Sequence, residues 1–143
     1  LMRRKVGMVF QDYHLLSDRN LFENVALPLH VIGYSKDEIV DRVKDSLEEV
    51  GLDGKENHFP GELSGGEQQR ACVARAMIKE PDVILADEPT GNLDPVTSFE
   101  LIKFFEEINR EGTAILMASH NYNLIKGRGH RIIEIRNGSI RRS

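Results

Sequence analysis

Cysteine is nearly absent. Cys72 is the only one in 143 residues, so no disulfide framework can form within the chain, which fits a reducing compartment. Long apolar runs are absent too. None approaches the roughly 20 residues that span a bilayer, and the most apolar stretch, 25–32, is interrupted by Pro28 and His30. The basic opening Arg3-Arg4-Lys5 leads into Val6-Gly7-Met8-Val9-Phe10, too short for the apolar segment of a signal peptide. Positive charge is not in excess: 23 acidic residues against 19 basic give a net charge of −4. That removes the electrostatic argument for a nucleic-acid binder, and no nucleic-acid partner is expected. The first residue is Leu rather than Met, which reads as a truncation. Internal repeats and low-complexity tracts are missing as well.

What is present is ordinary for a globular domain with a real core: 40% hydrophobic and 29% charged residues. Three short apolar runs each end in polar residues. They are Val6-Gly7-Met8-Val9-Phe10 before Gln11, Val83-Ile84-Leu85-Ala86 before Asp87-Glu88, and Ala114-Ile115-Leu116-Met117-Ala118 before Ser119-His120. Continuous apolar runs suit strands buried on both faces of a parallel sheet. Ligands of such sheets sit beyond the carboxyl ends of the strands, so three polar strand ends form a site pattern.

Helices fill the gaps. Asn20 and Glu23 read as a capping box opening a helix towards Ile32, with a break expected at Pro28. Ser35 and Glu38 form a second box, followed by the stripe Ile39, Val43, Leu47, Val50 and a stop at Gly51. Ser64 and Glu67 form a third, and that helix is expected to reach about Lys79, before Pro81. Asp94 can cap a fourth, with Pro95 at its first position, Ile102, Phe105 and Ile108 on one face and Gly112 at its end. The stretch 51–61 is loop-like. Near the end, Asn137-Gly138 is a hairpin turn signal.

Four motifs carry chemistry. In Leu63-Ser64-Gly65-Gly66-Glu67-Gln68-Gln69-Arg70 two glycines open a capped helix. Backbone N–H groups can approach a phosphate there, and the helix dipole adds about half a positive charge. On its own, the octet serves equally well as a plain helix start. Asp87 at a strand end suits Mg²⁺, a hard ion that prefers carboxylate and water oxygens, and the adjacent Glu88 could polarise an attacking water. Alone, the pair would read as solvated carboxylates at a turn, but Gly91-Asn92-Leu93-Asp94 follows directly. His120 ends the third strand, and Gln11 ends the first. His14, His30, His58 and His130 have no metal-ligand spacing, and Cys72 reads as a small packing residue.

In this order the four motifs resemble the nucleotide-binding subunit of ABC transporters, across essentially the whole chain. The octet is similar to the signature motif, Val83 to Glu88 to the Walker B strand, 91–94 to the D-loop, His120 to the H-loop and Gln11 to the Q-loop. The resemblance implies an α/β P-loop NTPase (ABC ATPase) fold, a mostly parallel sheet flanked by helices with a helical subdomain. Residues 12–80 would carry the Q-loop and helical subdomain, and 81–143 the C-terminal part of a RecA-like core. It implies ATP and Mg²⁺ as cofactors, and a homodimer in which each signature motif faces the partner's phosphate-binding loop. Ser64, Gly65, Gly66, Glu67 and Asp94 would then meet nucleotide. Gln11 and Asp87 would serve the metal, Glu88 would activate water, and His120 would contact the γ-phosphate and hold the water–Glu88 geometry. Residues 13–29 would face a membrane subunit. Asn121 departs from the pattern, standing where an Asp commonly follows the histidine.

The phosphate-binding loop itself is missing. No G-x-x-x-x-G-K-[ST] occurs, since Gly54-Lys55 is followed by Glu56 and lacks the preceding glycine. These residues alone are therefore expected neither to bind ATP tightly nor to hydrolyse it. Within the family, 10–16 with Asp18-Arg19, 104–110 and 117–121 resemble the cell-division FtsE type more than the lipoprotein-releasing LolD or macrolide-export MacB types. That type implies an FtsX-type membrane partner and a peripheral place on the cytoplasmic face of the inner membrane. A DNA-maintenance ABC ATPase would carry a long insertion between Gln11 and Ser64, and the 53 positions separating them hold no cysteine cluster. A non-catalytic docking module remains the other alternative.

Overall fold

The structure is a computed structural model that describes residues 5–142. Three strands, β1 (Val6–Phe10), β2 (Val83–Asp87) and β3 (Ala114–Ala118), form a parallel sheet in the order β1-β2-β3. Parallel neighbours need long crossovers, and helices supply them. Between β1 and β2 run α1 (Leu21–Ile32), α2 (Lys36–Glu49), a 3-10 turn (Pro60–Glu62) and α3 (Gly65–Met77); between β2 and β3 runs α4 (Pro95–Arg110). After a short α5 (Tyr122–Ile125) the chain ends in the antiparallel hairpin β4 (Ile133–Arg136) and β5 (Ser139–Arg142). Asn137 and Gly138 both have positive φ, 50° and 74°, as the tight turn requires.

The helix starts follow from local chemistry. Asn20, Ser35 and Ser64 each accept a hydrogen bond from the backbone N–H three residues on, while Glu23, Glu38 and Glu67 bond back to the cap. Asp94 caps α4 through the N–H groups of Val96 and Thr97. The expected break at Pro28 does not occur: α1 runs through it to Ile32. An internal proline costs about 3 kcal/mol, but Leu21, Val25, Ala26 and Leu29 are buried on either side of it. Each large buried side chain contributes about 1.5–3 kcal/mol, which outweighs the lost hydrogen bond.

Two apolar clusters share one wall. Leu21, Val25 and Leu29 of α1 pack with Ile39, Val43 and Leu47 of α2 against Ala71 and Ala74 of α3. From its other side α3 presents Cys72, Val73 and Ala76 to Val9, Ile84 and Ala86 of the sheet and to Leu101, Phe105 and Ile108 of α4. Small residues on both sides let the helix be enclosed from both. The expectation of strands buried on both faces is met on one face only. Met8, Leu85 and Leu116 lie in one register row on the other face, and Met8 and Leu116 are 48% and 62% exposed. Both covering helices lie on the Val9–Ala86–Met117 side, and no described element covers the opposite row.

Candidate functional site

The register brings three strand ends level. Phe10 pairs with Asp87, and Asp87 with Ala118, so Gln11, Glu88 and His120 emerge at one edge of the sheet. Glu88 N–H donates to Ala118 O at 2.9 Å, holding the chain one residue past β2. There Glu88 turns to φ 46°, although it precedes Pro89 and is not glycine. Such a conformation costs on the order of 1–2 kcal/mol. Its Oε2 lies 2.9 Å from Nδ1 of His120; the carboxylate side chain is 24% exposed and the imidazole 81%. Asp87 is exposed beside it. Phe10, Gln11, Asp12, His14, Asp87 and Glu88 line an open pocket at this edge, and the His14 ring lies 4.8 Å from the Phe10 ring.

Gln11 reaches across to the turn after Glu88. Its Nε2 donates to Asn92 Oδ1, and Asn92 Nδ2 donates back to Gln11 O, both at 3.1 Å. The amide passes so close to Gly91 that a Cβ there would stand 2.5 Å from Gln11 Cδ. Only glycine allows that approach.

A second groove lies at the start of α3, lined by Ser64, Gly65, Gly66 and Glu67 on one side and Asn92 and Asp94 on the other. Ser64 Oγ accepts from Glu67 N–H at 3.2 Å, and Ser64 N–H donates to Glu67 Oε2 at 2.9 Å. Glu67 Oε1 pairs with the Lys55 ammonium. That lysine, and then the Ser64 backbone N–H, hold the Glu67 carboxyl below the usual carboxylate range. The glycine pair has a packing role regardless of ligand: a Cβ at Gly65 would meet Tyr13 Oη at 2.9 Å, and one at Gly66 would meet Thr97 Cγ2 at 2.7 Å. The Asp94 carboxylate is engaged as a cap. The Thr97 hydroxyl, then its backbone N–H, lower its pKa.

The segment after β1 is clamped onto α3. Tyr13 and His14 both have φ 53°. Arg75 donates to His14 O at 2.7 Å and to Tyr13 O at 3.0 Å, and Cys72 Sγ donates to Tyr13 O at 2.8 Å. Asn24, fully buried in α1, donates to Leu16 O, Arg19 O and Asn20 O and accepts from Leu16 N–H. The loop between β1 and α1 is thus held from both ends, by α3 at Tyr13 and His14 and by Asn24 of α1 at Leu16 and Arg19.

The structure brings Glu88 and His120 into contact and sets Gln11 and Asp87 at the same edge. Ser64 to Glu67 and Asp94 form the separate groove, joined to that edge through Asn92. Reasoning from the sequence did not foresee Asn92, Tyr13, His14 and Lys55 as neighbours of these residues, and gave Gln69, quoted within the octet, no role of its own. Their contacts span up to 81 positions, and no local pattern marks them. No helix among the described residues is long and apolar enough to cross a membrane.

The profile of the ABC transporter family matches residues 1–91. The chain is 50% identical over 139 residues to the cell division ATP-binding protein FtsE of Escherichia coli (strain K12), covering 97% of this chain and 63% of that protein. It is 51% identical over 140 residues to the protein of the same name from Streptococcus pneumoniae (strain D39), covering 98% and 61%. The chain therefore spans a little over three-fifths of these relatives. A dimeric ATP-binding cassette, solved in a post-hydrolysis state with ADP and phosphate, superposes with a TM-score of 0.82 at 36% identity. That match covers 98% of this chain and 62% of the cassette.

Proposed function

Because the chain belongs to the ABC transporter family and has its ATPase fold, we propose that it is part of an ATP-binding and ATP-hydrolysing subunit of the FtsE type. The subunit would work as a homodimer with an FtsX-type integral membrane subunit, peripherally on the cytoplasmic face of the inner membrane. The observation that carries this reading is the Glu88–His120 contact at the level ends of β2 and β3. A carboxylate fixed by an imidazole at a strand edge can accept the proton of a water attacking the γ-phosphorus. The P–O bond to ADP breaks as the new P–O bond forms, giving ADP and inorganic phosphate. In this reading His120, largely exposed and in contact with Glu88, would also meet the γ-phosphate.

The donor set at this edge suits Mg²⁺, which takes one or two protein oxygens and fills its shell with water and phosphate. Among the described residues no three His, Cys, Asp or Glu side chains gather as a metal cage, and a Mg²⁺–ATP site needs none. Asp87 and the Gln11 amide oxygen would hold the ion, which when bound neutralises phosphate charge. In this reading Ser64, Gly65, Gly66 and Glu67, with Asp94 opposite, receive the nucleotide held by the partner subunit. Residues 12–80 then form the helical arm, and 81–143 part of the nucleotide core.

These 143 residues contain no phosphate-binding loop, which favours a second reading for them taken alone: a docking piece without turnover. One experiment addresses both. ATP hydrolysis is measured for the 143-residue chain, for a full-length chain carrying a phosphate-binding loop ahead of these residues, and for its Glu88→Gln variant. The long chain is expected to turn over, its variant to lose about 10²–10⁴-fold, and the short chain to be inactive. Sustained hydrolysis by the short chain, abolished by Glu88→Gln, would overturn its assigned inactivity. A loss under about tenfold in the long chain would remove Glu88 as the base.

A further inference from the structure

Gln69 is the fifth residue of α3 and is fully buried. Its Nε2 donates to two carbonyls that are distant in sequence: Phe10 O at 3.2 Å and Pro89 O at 2.5 Å. Phe10 immediately precedes Gln11, and Pro89 immediately follows Glu88. The amide orientation is fixed by these partners, because a flipped amide would set its oxygen against two carbonyl oxygens. The consequence is a buried Oε1 that finds no hydrogen-bond partner among the described residues. Such an orphan costs about 1–3 kcal/mol. An apolar residue of similar size would avoid that cost but would lose both of these hydrogen bonds. The geometry thus serves the two strand ends at the expense of the side chain making it.

We infer that Gln69 is a positioning residue: one amide group on the signature helix sets the spacing between the backbone carrying Gln11 and the backbone carrying Glu88. It does not touch nucleotide or the reacting atoms. Both segments it holds are otherwise demanding. Glu88 keeps its left-handed turn, and Gln11 reaches Asn92 only past Gly91, so small shifts of either strand end would part them. Because the same helix begins at Ser64, movement of the signature motif is transmitted through Gln69 to the hydrolytic edge of the same subunit. The catalytic consequence rests on the hydrolytic reading above; the mechanical link does not.

The test uses two variants with opposite packing. Gln69→Met keeps the length and loses the donor. Gln69→Asn keeps the amide but is one methylene too short to reach both carbonyls. Hydrogen exchange in the 143-residue chain should show the amides of Gly91 and Leu93, which close the turn after Glu88, exchanging at least about tenfold faster in both variants. Protection at the middle of α3 should be unchanged. In the full-length chain both variants should lower kcat by about 10–100-fold, with the KM for ATP within about threefold. If Gln69 merely packs, Met will be benign and only Asn harmful, and kcat will follow the folded fraction; that result overturns the inference. Unchanged exchange at 88–93 in both variants overturns it as well. If the full-length parent hydrolyses no ATP, the hydrolytic reading fails, and the exchange data alone decide whether Gln69 holds the two strand ends.

Discussion

Helices α1 and α2 and the three-stranded sheet bury their apolar residues to very different extents. In the helices, Leu21, Val25, Leu29, Ile39, Val43 and Leu47 are at most 2% exposed. In the sheet one face is packed, and the row Met8, Leu85, Leu116 on the other has no covering element among the described residues. Yet the sheet carries Gln11, Asp87, Glu88 and His120 at its edge. Stability and proposed chemistry are therefore concentrated in different places, and α3, enclosed by both clusters, connects them. The largest expected effect tests this division. Leu47→Ala should cost about 2–5 kcal/mol in urea denaturation, from lost burial and a residual cavity. Leu116→Ala should stay within about 0.5 kcal/mol. Equal losses would mean that the open face is covered in solution, and the contrast would collapse.

A smaller effect should distinguish what the helices hold from how they are capped. Asn24 makes four side-chain hydrogen bonds from a fully buried position, three of them to backbone of the loop that leaves the Gln11 strand end. Asn24→Ala removes the bonds to Leu16 N–H and Arg19 O, while Leu16 O and Asn20 O keep backbone partners, and a group left unpaired away from water costs up to about 1–3 kcal/mol. The urea midpoint should fall, and limited proteolysis should cut within 15–20. The nearby cap variant Asn20→Ala should cost about 1 kcal/mol without opening that loop. If Asn20→Ala also exposed 15–20 to cleavage, the loop would be held by the helix start rather than by Asn24.

The same contrast separates what the sequence discloses from what it does not. The starts of α1 to α4 are legible, because a cap and its partner lie two or three residues apart; the start of α5 at Asn121 is not anticipated. The polar strand ends are legible because each follows a continuous apolar run. Pro28 misleads, since a local rule for helix breaking carries no information about Leu21, Val25 and Leu29 being buried around it. The two-sided enclosure of α3 is equally hidden: Ala71 and Ala74 face one cluster and Cys72 and Val73 the other, so no single apolar stripe exists to be read. Gln69, Asn92 and Tyr13 acquire their partners only when segments 20 to 81 positions apart meet. Glu88's left-handed turn is a further product of tertiary contact, fixed by its N–H bonding Ala118 O.

The shared wall offers the finest test, through its one titratable thiol. Cys72 lies between the sheet and α4, and burial pushes its pKa up from an ordinary value of 9.0 to about 12, with Arg75 opposing more weakly. The sign follows from linkage. Below the unfolded pKa both states hold the thiol proton, and the full stabilisation is present. Above it the unfolded chain releases the proton while the folded chain keeps it, so stability declines as pH rises towards the folded value. At pH 10 the loss from this group should be about 1.4 kcal/mol. Urea midpoints for the parent and Cys72→Ala, followed from pH 8 to 10.5, isolate the effect: the variant shifts the baseline through its small cavity, and only the parent carries the extra downward slope. Parallel profiles would mean that the thiolate is tolerated beside Arg75 and the Tyr13 carbonyl. The wall between the two clusters would then admit charge, and the two regions would be less sharply divided than their packing indicates.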